Sequence, residues 1–277
     1  MSVREYWGNS DAVFQCLIDK DRIAAFRKAI EYSVAKDSVV VDLGSGSGIL
    51  SMFALRAGAK QVFAVEQDPE MCKLIKKTKH INSIRNRLII MHSDARKVVL
   101  PKHIDVVICE MMATGFIDEI QVPVINHIHK YCKNETIFIP QSVSSFAELV
   151  NSNSVFYGEK LFIVRYDYIE DNSLRATSLS EKICFSKVDF NKEIDDCISR
   201  KVQFTIRKNG SINGIRISNE SSFPNNINFG ASFAYCMPLI LPLDEMAVKK
   251  GESILLSLKY RMCAGIQNVK YQISRVE

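Results

Sequence analysis

Residues 39–50 read Val-Val-Val-Asp-Leu-Gly-Ser-Gly-Ser-Gly-Ile-Leu, and an acidic residue, Glu66, follows Gly48 after a further eighteen positions. The β-branched run predicts a strand that ends in a glycine-rich turn, and a helix-like segment comes next. A second apolar run, residues 62–65, ends at Glu66. This order is typical of a βαβ unit that binds a nucleoside. The glycines allow close approach of the backbone, and the acid can accept hydrogen bonds from both ribose hydroxyls.

The spacing of the glycines distinguishes between two classes of nucleoside ligand. Dinucleotide sites use the pattern G-x-G-x-x-G with a pyrophosphate at the helix N-terminus, whereas Gly44, Gly46 and Gly48 form G-x-G-x-G. Asp42 at the strand end would repel a pyrophosphate but can hold an amine. S-adenosylmethionine carries an amine and no phosphate, so the pattern favours this cofactor. An ordinary βα turn rich in small residues remains the alternative.

Composition is that of a globular enzyme. The chain has 277 residues, 47% hydrophobic and 24% charged, with a formal net charge of +5. This mild charge indicates no dedicated nucleic-acid or membrane surface, and no apolar run is long enough to span a bilayer. The eight cysteines are scattered without a C-x-x-C pair, so we expect buried free thiols, no metal and a cytoplasmic, intracellular location.

The two halves of the chain have different hydrophobic periods. Up to residue 140 helix and strand patterns alternate, which predicts an α/β fold with a doubly wound, mostly parallel, Rossmann-like sheet. From residue 141 the period is two, which predicts an antiparallel β-barrel or sandwich. We therefore expect a helical segment, a cofactor-binding α/β domain and an antiparallel domain at 1–36, 37–140 and 141–277. The predicted helices are 19–33, 49–57, 70–82 and 122–130. The predicted strands are 39–43, 62–65, 88–91, 106–109, 136–139, 142–150, 160–168, 202–206, 212–217, 233–240, 253–260 and 269–273.

Four candidate binding residues follow the ends of predicted parallel strands: Gly44, Glu66, Asp94 and Glu110. Ligands of doubly wound sheets bind at the carboxyl ends of the strands. The shared placement therefore predicts one site at this edge.

A second feature follows the fourth strand, where Glu110 and Glu119 lie nine residues apart in one loop. Paired carboxylates can grip a guanidinium, because its planar fork matches a carboxylate. Holding the guanidinium would aim a nitrogen lone pair at the sulfonium methyl, which is catalysis by orientation and electrostatics. The alternative is that Glu119 is only an acidic residue near the start of the next helix.

These motifs resemble those of the protein arginine methyltransferases. The similarity runs through residues 41–54, 57–60 and Glu66, continues at the double-glutamate loop, and reaches 137–140. It is specific over residues 19–140 and looser afterwards. The resemblance implies that the segment 1–36 covers the cofactor and that the part 141–277 binds the substrate.

The resemblance implies a role for each matching residue. Arg22 would pair with the carboxylate of the cofactor's methionine part, and Met112 would line the sulfonium and adenine. The family has its acid at the position of Arg96, whereas Asp94 lies two residues earlier, as in many other class I methyltransferases. We expect Asp94 to bind the adenine amino group and Ala95 to belong to the same cofactor site. Glu66 would bind the ribose hydroxyls, and Glu110 and Glu119 would hold the acceptor guanidinium. The amino end and the backbone of the cofactor's methionine part would be held by Asp42, Gly44, Gly46 and Gly48.

The chain also departs from the family. Met111 stands where the family has an aromatic residue, and a barrel histidine has no counterpart around residues 231–236, since all five histidines come earlier. The region of the family's dimerisation arm, residues 152–196, is short, which leaves the oligomeric state open. Tyr6 and Trp7 resemble the start of the family's N-terminal aromatic motif. A basic cluster between residues 73 and 87 reads as a solvated helix face, with polyanion binding as the alternative.

Together these features predict an S-adenosylmethionine-dependent N-methyltransferase that acts on an arginine guanidinium in a peptide or protein. Two alternatives stay open: a methyltransferase for a small metabolite, such as free arginine or a natural-product intermediate, and a non-catalytic binding protein of the same fold. The expected partner is a peptide, a protein or a small guanidino compound, and we expect neither a membrane nor nucleic acid.

Overall fold

The computed structural model describes residues 10–84, 86–168 and 174–276. The predicted aromatic motif at Tyr6 and Trp7 lies outside these ranges, as does Arg85 of the basic cluster.

A five-stranded parallel sheet forms the first part of the fold, with strand order β3-β2-β1-β4-β5. Its strands are β1 Val39–Leu43, β2 Gln61–Glu66, β3 Leu88–His92, β4 Ile104–Cys109 and β5 Cys132–Ile139. The helices are α1 Ser10–Ile18, α2 Lys20–Ser33, α3 Ile49–Ala57, α4 Pro69–Ile81 and α5 Gln121–Ile128. The prediction of a doubly wound parallel sheet is confirmed. The strand order reverses beside β1, so its carboxyl end lies at the switch point where such sheets bind ligands.

Local signals set the ends of the helices around this edge. Asp19 caps α2 by accepting a hydrogen bond from the backbone N–H of Arg22, and Asp68 caps α4 ahead of Pro69. Helix α3 ends at Gly58, whose φ of 115° is the left-handed conformation favoured at a helix C-terminus. The predicted helix 19–33 therefore begins one residue later, and a separate helix, α1, precedes it.

The second part of the fold is antiparallel. A seven-stranded sheet contains β6, β9–β11 and β13–β15, a three-stranded sheet has the order β12-β16-β17, and β7 pairs with β8. The strands are β6 Ser142–Asn151, β7 Val155–Phe156, β8 Glu159–Lys160, β9 Arg165–Tyr166, β10 Thr177–Ser178, β11 Ile183–Asp189, β12 Cys197–Thr205, β13 Gly210–Phe223, β14 Ile227–Phe229, β15 Leu239–Val248, β16 Ser253–Arg261 and β17 Lys270–Arg275. The prediction of antiparallel structure after residue 141 is confirmed, while closure into a barrel and the division into domains stay predictions.

Two strand predictions were wrong. Residues 160–168 form a strand only at Lys160 and at Arg165–Tyr166, and the apolar side chains of 161–164 are exposed. Residues 233–240 mostly form a loop, because Cys236 has a positive φ of 47° and Pro238 has no N–H to donate to a ladder. The strand in this region starts at Leu239. A period of two in the sequence does not distinguish an exposed apolar segment from a half-buried strand.

The antiparallel part holds the double-glutamate loop in place through a buried side chain on β13. Asn219, 2% exposed, accepts a hydrogen bond from the backbone N–H of Gly115 at 3.0 Å and another from the hydroxyl of Ser145. Its amide nitrogen donates to the carbonyl of Ala113 at 3.4 Å. From β16 of the three-stranded sheet, the hydroxyl of Tyr260 donates to the carbonyl of Gly115 at 2.7 Å. The loop is therefore fixed by polar contacts from two sheets.

Replacing Asn219 should test this attachment. The substitution Asn219→Ala leaves buried donors and acceptors without partners, at about 1–3 kcal/mol for each unsatisfied group. We expect the free energy of unfolding, measured by urea denaturation, to fall by several kcal/mol. Asn213→Ala on the same strand is the control, because Asn213 is only half-buried and water can replace its bonds to Ser152. Equal losses for the two variants would contradict the proposed attachment.

Candidate functional site

The glycine turn after β1 lies at the switch point of the parallel sheet. Gly44, Gly46 and Gly48 all have positive φ, at 70°, 50° and 78°. A Cβ added to Gly44 would come within 2.8 Å of the Cγ and Sδ atoms of Met111. The side chain of Met111 therefore lies directly against the turn, which requires glycine at position 44 for both its conformation and its contact.

Glu66 ends β2 beside this turn and is 8% exposed. One carboxylate oxygen accepts a hydrogen bond from the backbone N–H of Gly46 at 2.8 Å, and the other accepts from that of Asp68 at 2.9 Å. Glu66, which is predicted to bind the ribose, therefore also fixes the glycine turn and the start of α4.

Asp42 lies under the turn and is 2% exposed. Its carboxylate accepts a hydrogen bond from the hydroxyl of Ser51 on α3 at 2.6 Å. Burial raises the pKa of Asp42 from 3.8 to about 6, and the bond from Ser51 opposes part of this shift. The buried carboxylate can accept a cationic amine, which would replace the lost solvation.

Asp94 follows β3 and forms a bidentate ion pair with Arg96, with distances of 2.8 to 3.1 Å to the guanidinium nitrogens. The hydrogen bonds from Arg96 lower the pKa of Asp94 despite partial burial. Ala95 between them is buried. Arg96 therefore occupies the position where the family has its acid. The carboxylate of Asp94 lies in the same loop, two residues earlier.

The first carboxylate of the double-glutamate loop is paired. Glu110 forms an ion pair with the guanidinium of Arg22 on α2, and their side chains are 12% and 5% exposed. A second guanidinium nitrogen of Arg22 donates to the carbonyl of Cys16 at 2.9 Å, while its Nε is buried without a hydrogen-bond partner among the described residues. Burial raises the pKa of Glu110, and the charge of Arg22 opposes this shift. From the sequence, Arg22 was expected to bind the cofactor and Glu110 the acceptor guanidinium, whereas in the structure the two side chains form an ion pair with each other.

Glu119 belongs to the same electrostatic environment. Burial raises the pKa of Cys16 to about 12, and the carboxylates of Glu110 and Glu119 raise it further. Both carboxylates also raise the pKa of the buried Cys236, after burial itself. The thiols around the double-glutamate loop are consequently protonated and poor nucleophiles. All eight cysteines are free, as expected, although Cys184 and Cys197 are exposed rather than buried.

The two methionines of the loop point in different directions. The sulfur of Met112 lies 3.8 Å from the hydroxyl oxygen of Ser221 and 3.6 Å from that of Tyr235, between the loop and the antiparallel sheet. Met111, in contrast, lies on Gly44. The structure thus brings Met111 to the glycine turn, whereas the resemblance had assigned the cofactor contact to Met112.

Sequence reasoning missed one buried carboxylate close to the site. Asp19, 1% exposed, accepts hydrogen bonds from the hydroxyl of Ser232 and from the backbone N–H of Ala234, at 3.1 Å for the latter. The only local signal was its position as an N-cap, since its partners lie more than 200 residues away.

The raised pKa of Asp42 gives a testable pH dependence. Because the folded protein holds this proton more tightly than the unfolded chain does, the stability contribution of Asp42 is lost as pH rises from about 4 through 6. At about 1.4 kcal/mol per pKa unit, the loss is on the order of 3 kcal/mol. Asp42→Asn should abolish it, and exposed Asp21→Asn should not. A difference between wild type and Asp42→Asn that stays constant from pH 4 to 7 would contradict the buried, protonatable carboxylate.

Comparisons with known proteins identify related chains. A family model described as ribosomal protein L11 methyltransferase matches residues 26–142, which include the parallel sheet and the double-glutamate loop. An uncharacterized protein of Methanocaldococcus jannaschii is 31% identical over 94% of this chain and 95% of its own length. A second, from Methanothermobacter thermautotrophicus, is 31% identical over 98% of both chains.

Named relatives and a solved structure indicate the wider group. Mouse protein arginine N-methyltransferase 7 is 29% identical over 60% of this chain and 25% of its own length. In the Trypanosoma brucei PRMT1 enzyme–prozyme heterotetrameric complex with AdoHcy, a matching chain has a TM-score of 0.78 at 15% identity, over 95% of this chain and 97% of that one. This likeness shows the fold. Within the described residues, no helix is both long and apolar enough to cross a membrane. The chain belongs to an arginine methyltransferase-like family of S-adenosylmethionine-dependent methyltransferases.

Proposed function

We propose that this methyltransferase transfers the methyl group of S-adenosylmethionine to a guanidinium nitrogen of arginine in a peptide or protein. One observation carries the proposal: the buried carboxylate of Glu110 already binds a guanidinium, that of Arg22. A carboxylate in these surroundings is suited to a planar, delocalised cation, which is less strongly hydrated than an ammonium group and costs less to bury. Glu119, nine residues further along the same loop, offers a second carboxylate.

The residues around the glycine turn fit the proposed cofactor. The buried Nε of Arg22 has no partner among the described residues and is a donor suited to a carboxylate. Asp42 is suited to the amino group of the methionine part, and Glu66 to the ribose hydroxyls. Met111 covers Gly44 with a flexible, polarisable side chain that can adapt to a ligand on the turn.

The ion pair between Arg22 and Glu110 places a condition on the reaction. An acceptor guanidinium and Arg22 compete for the same carboxylate, because both are cations that bind it through N–H donors. If Arg22 turns to the carboxylate of the cofactor and the acceptor guanidinium takes its place at Glu110, neither charge is left buried and unpaired. Removing one partner of such a pair without replacement is strongly destabilising.

The chemistry then needs little more than orientation. When bound, S-adenosylmethionine supplies an electrophilic methyl group on a sulfonium. Glu110 and Glu119 hold the guanidinium so that the lone pair of one nitrogen points at that methyl group. In this reaction the N–C bond would form as the S–C bond breaks, sulfur would keep the electron pair, and the nitrogen would give up a proton to water. The carboxylates stabilise the positive charge that the acceptor retains.

The double-glutamate loop gives the direct test. The variants Glu110→Gln and Glu119→Gln keep side-chain shape and remove charge. Each should lower turnover roughly 100-fold or more, as for the loss of a preorganised electrostatic contact. The control is Glu70→Gln, an exposed residue of α4 that should retain wild-type turnover.

Acceptors are identified by incubation with labelled cofactor and a panel of proteins, arginine peptides, lysine peptides and free guanidines, read by mass spectrometry. Label on arginine side chains supports the proposal. Label only on free arginine or another small guanidine would favour the metabolite methyltransferase. Transfer to lysine, or wild-type rates in both Glu110→Gln and Glu119→Gln, would contradict the guanidinium site.

The cytoplasmic location stays a prediction.

A further inference from the structure

The N-terminus of α2 and the loop between β14 and β15 share one carboxylate. Asp19 accepts the backbone N–H of Arg22 at 3.1 Å with one oxygen, and with the other it accepts the hydroxyl of Ser232 and the backbone N–H of Ala234. We call this set of three hydrogen bonds the Asp19 clasp. The carboxylate is 1% exposed, so it depends on these donors for its solvation.

The same loop is attached on its other side to the double-glutamate loop. The hydroxyl of Thr114 donates to the carbonyl of Met237 at 2.6 Å, and the thiol of Cys236 lies 3.8 Å from the carbonyl of Met112. Between these points, the hydroxyls of Tyr235 and Ser221 are 2.7 Å apart, and the ring of Tyr235 packs edge-on against Phe26 of α2. Residues 231–237 therefore connect the helix that carries Arg22 to the loop that carries Glu110 and Glu119.

We propose that Asp19 is a positioning residue that sets the distance between Arg22 and the two glutamates by holding residues 231–237 against the start of α2. This inference rests on the proposed function of the glutamates as the acceptor site. The clasp uses a serine hydroxyl and a backbone amide, which are neutral donors, in the region where the family's histidine has no counterpart. Asp19 touches neither ligand in this role, and it acts through the loop and through Arg22.

The substitution Asp19→Asn separates positioning from folding, because asparagine is as good an N-cap as aspartate. Asparagine has only one acceptor oxygen, so while that oxygen caps the N–H of Arg22, its NH2 group faces Ser232 and Ala234 and accepts from neither. We expect kcat/KM for the acceptor to fall at least 10-fold, through both kcat and KM, with the cofactor Kd changed less than threefold. Asp167→Asn is the matched control, since Asp167 is a fully buried carboxylate that binds Arg216 at 3.0 Å in the antiparallel part. Its kcat/KM should stay within twofold of wild type even if its stability falls.

Hydrogen exchange tests the clasp independently of catalysis. In Asp19→Asn, amides of residues 231–237 should exchange at least 10-fold faster, with unchanged exchange in β1. Ser232→Ala should give a smaller increase and add little to Asp19→Asn in the double variant, because both changes break the same contact. Unchanged exchange in Asp19→Asn would overturn the clasp, and faster exchange with wild-type kcat/KM would overturn its positioning role. If the wild type methylates no acceptor, the proposed function fails while the exchange result still decides the clasp.

Discussion

The buried ion pair of Arg22 and Glu110 is the interaction on which the site depends. It joins α2, which precedes the first strand, to the loop after the fourth, and both side chains are almost entirely removed from water. Two charges in such a place are tolerated only while each has a partner, since an unpaired buried charge costs several kcal/mol. The loop around Glu110 is in turn fixed by Asn219 and Tyr260 from the antiparallel sheets. The position of one carboxylate is thus determined by elements from the whole chain.

The elements around the proposed cofactor site could be predicted from sequence because their signals are local. The β-branched run before Gly44 and the glycines that follow gave β1 and α3 with the bounds that the structure has. The acid at Glu66 ends its strand as expected. Each of these features depends on neighbours within a few residues, on backbone conformation at glycine, and on the alternation of buried strands with helices.

The proposed acceptor site could not be predicted in the same way, because its contacts join residues that are distant in the chain. Asp19 binds Ser232, and Met112 packs against Ser221 and Tyr235. Whether Met111 or Met112 faces the glycine turn depends on the path of a loop held by Asn219, which no spacing reveals. The loop at 231–237 carries no strand because of the positive φ at Cys236, and an apolar pattern does not disclose that conformation.

We propose that Glu110 binds the acceptor guanidinium once the carboxylate of a bound cofactor has taken Arg22. Calorimetric titration of an arginine peptide, with S-adenosylhomocysteine present and absent, tests this claim directly. We expect at least 10-fold tighter binding when the product is present, loss of that gain in Glu110→Gln, and no comparable gain for the matched lysine peptide. Equal affinity with and without the product, or an unchanged gain in Glu110→Gln, would contradict it.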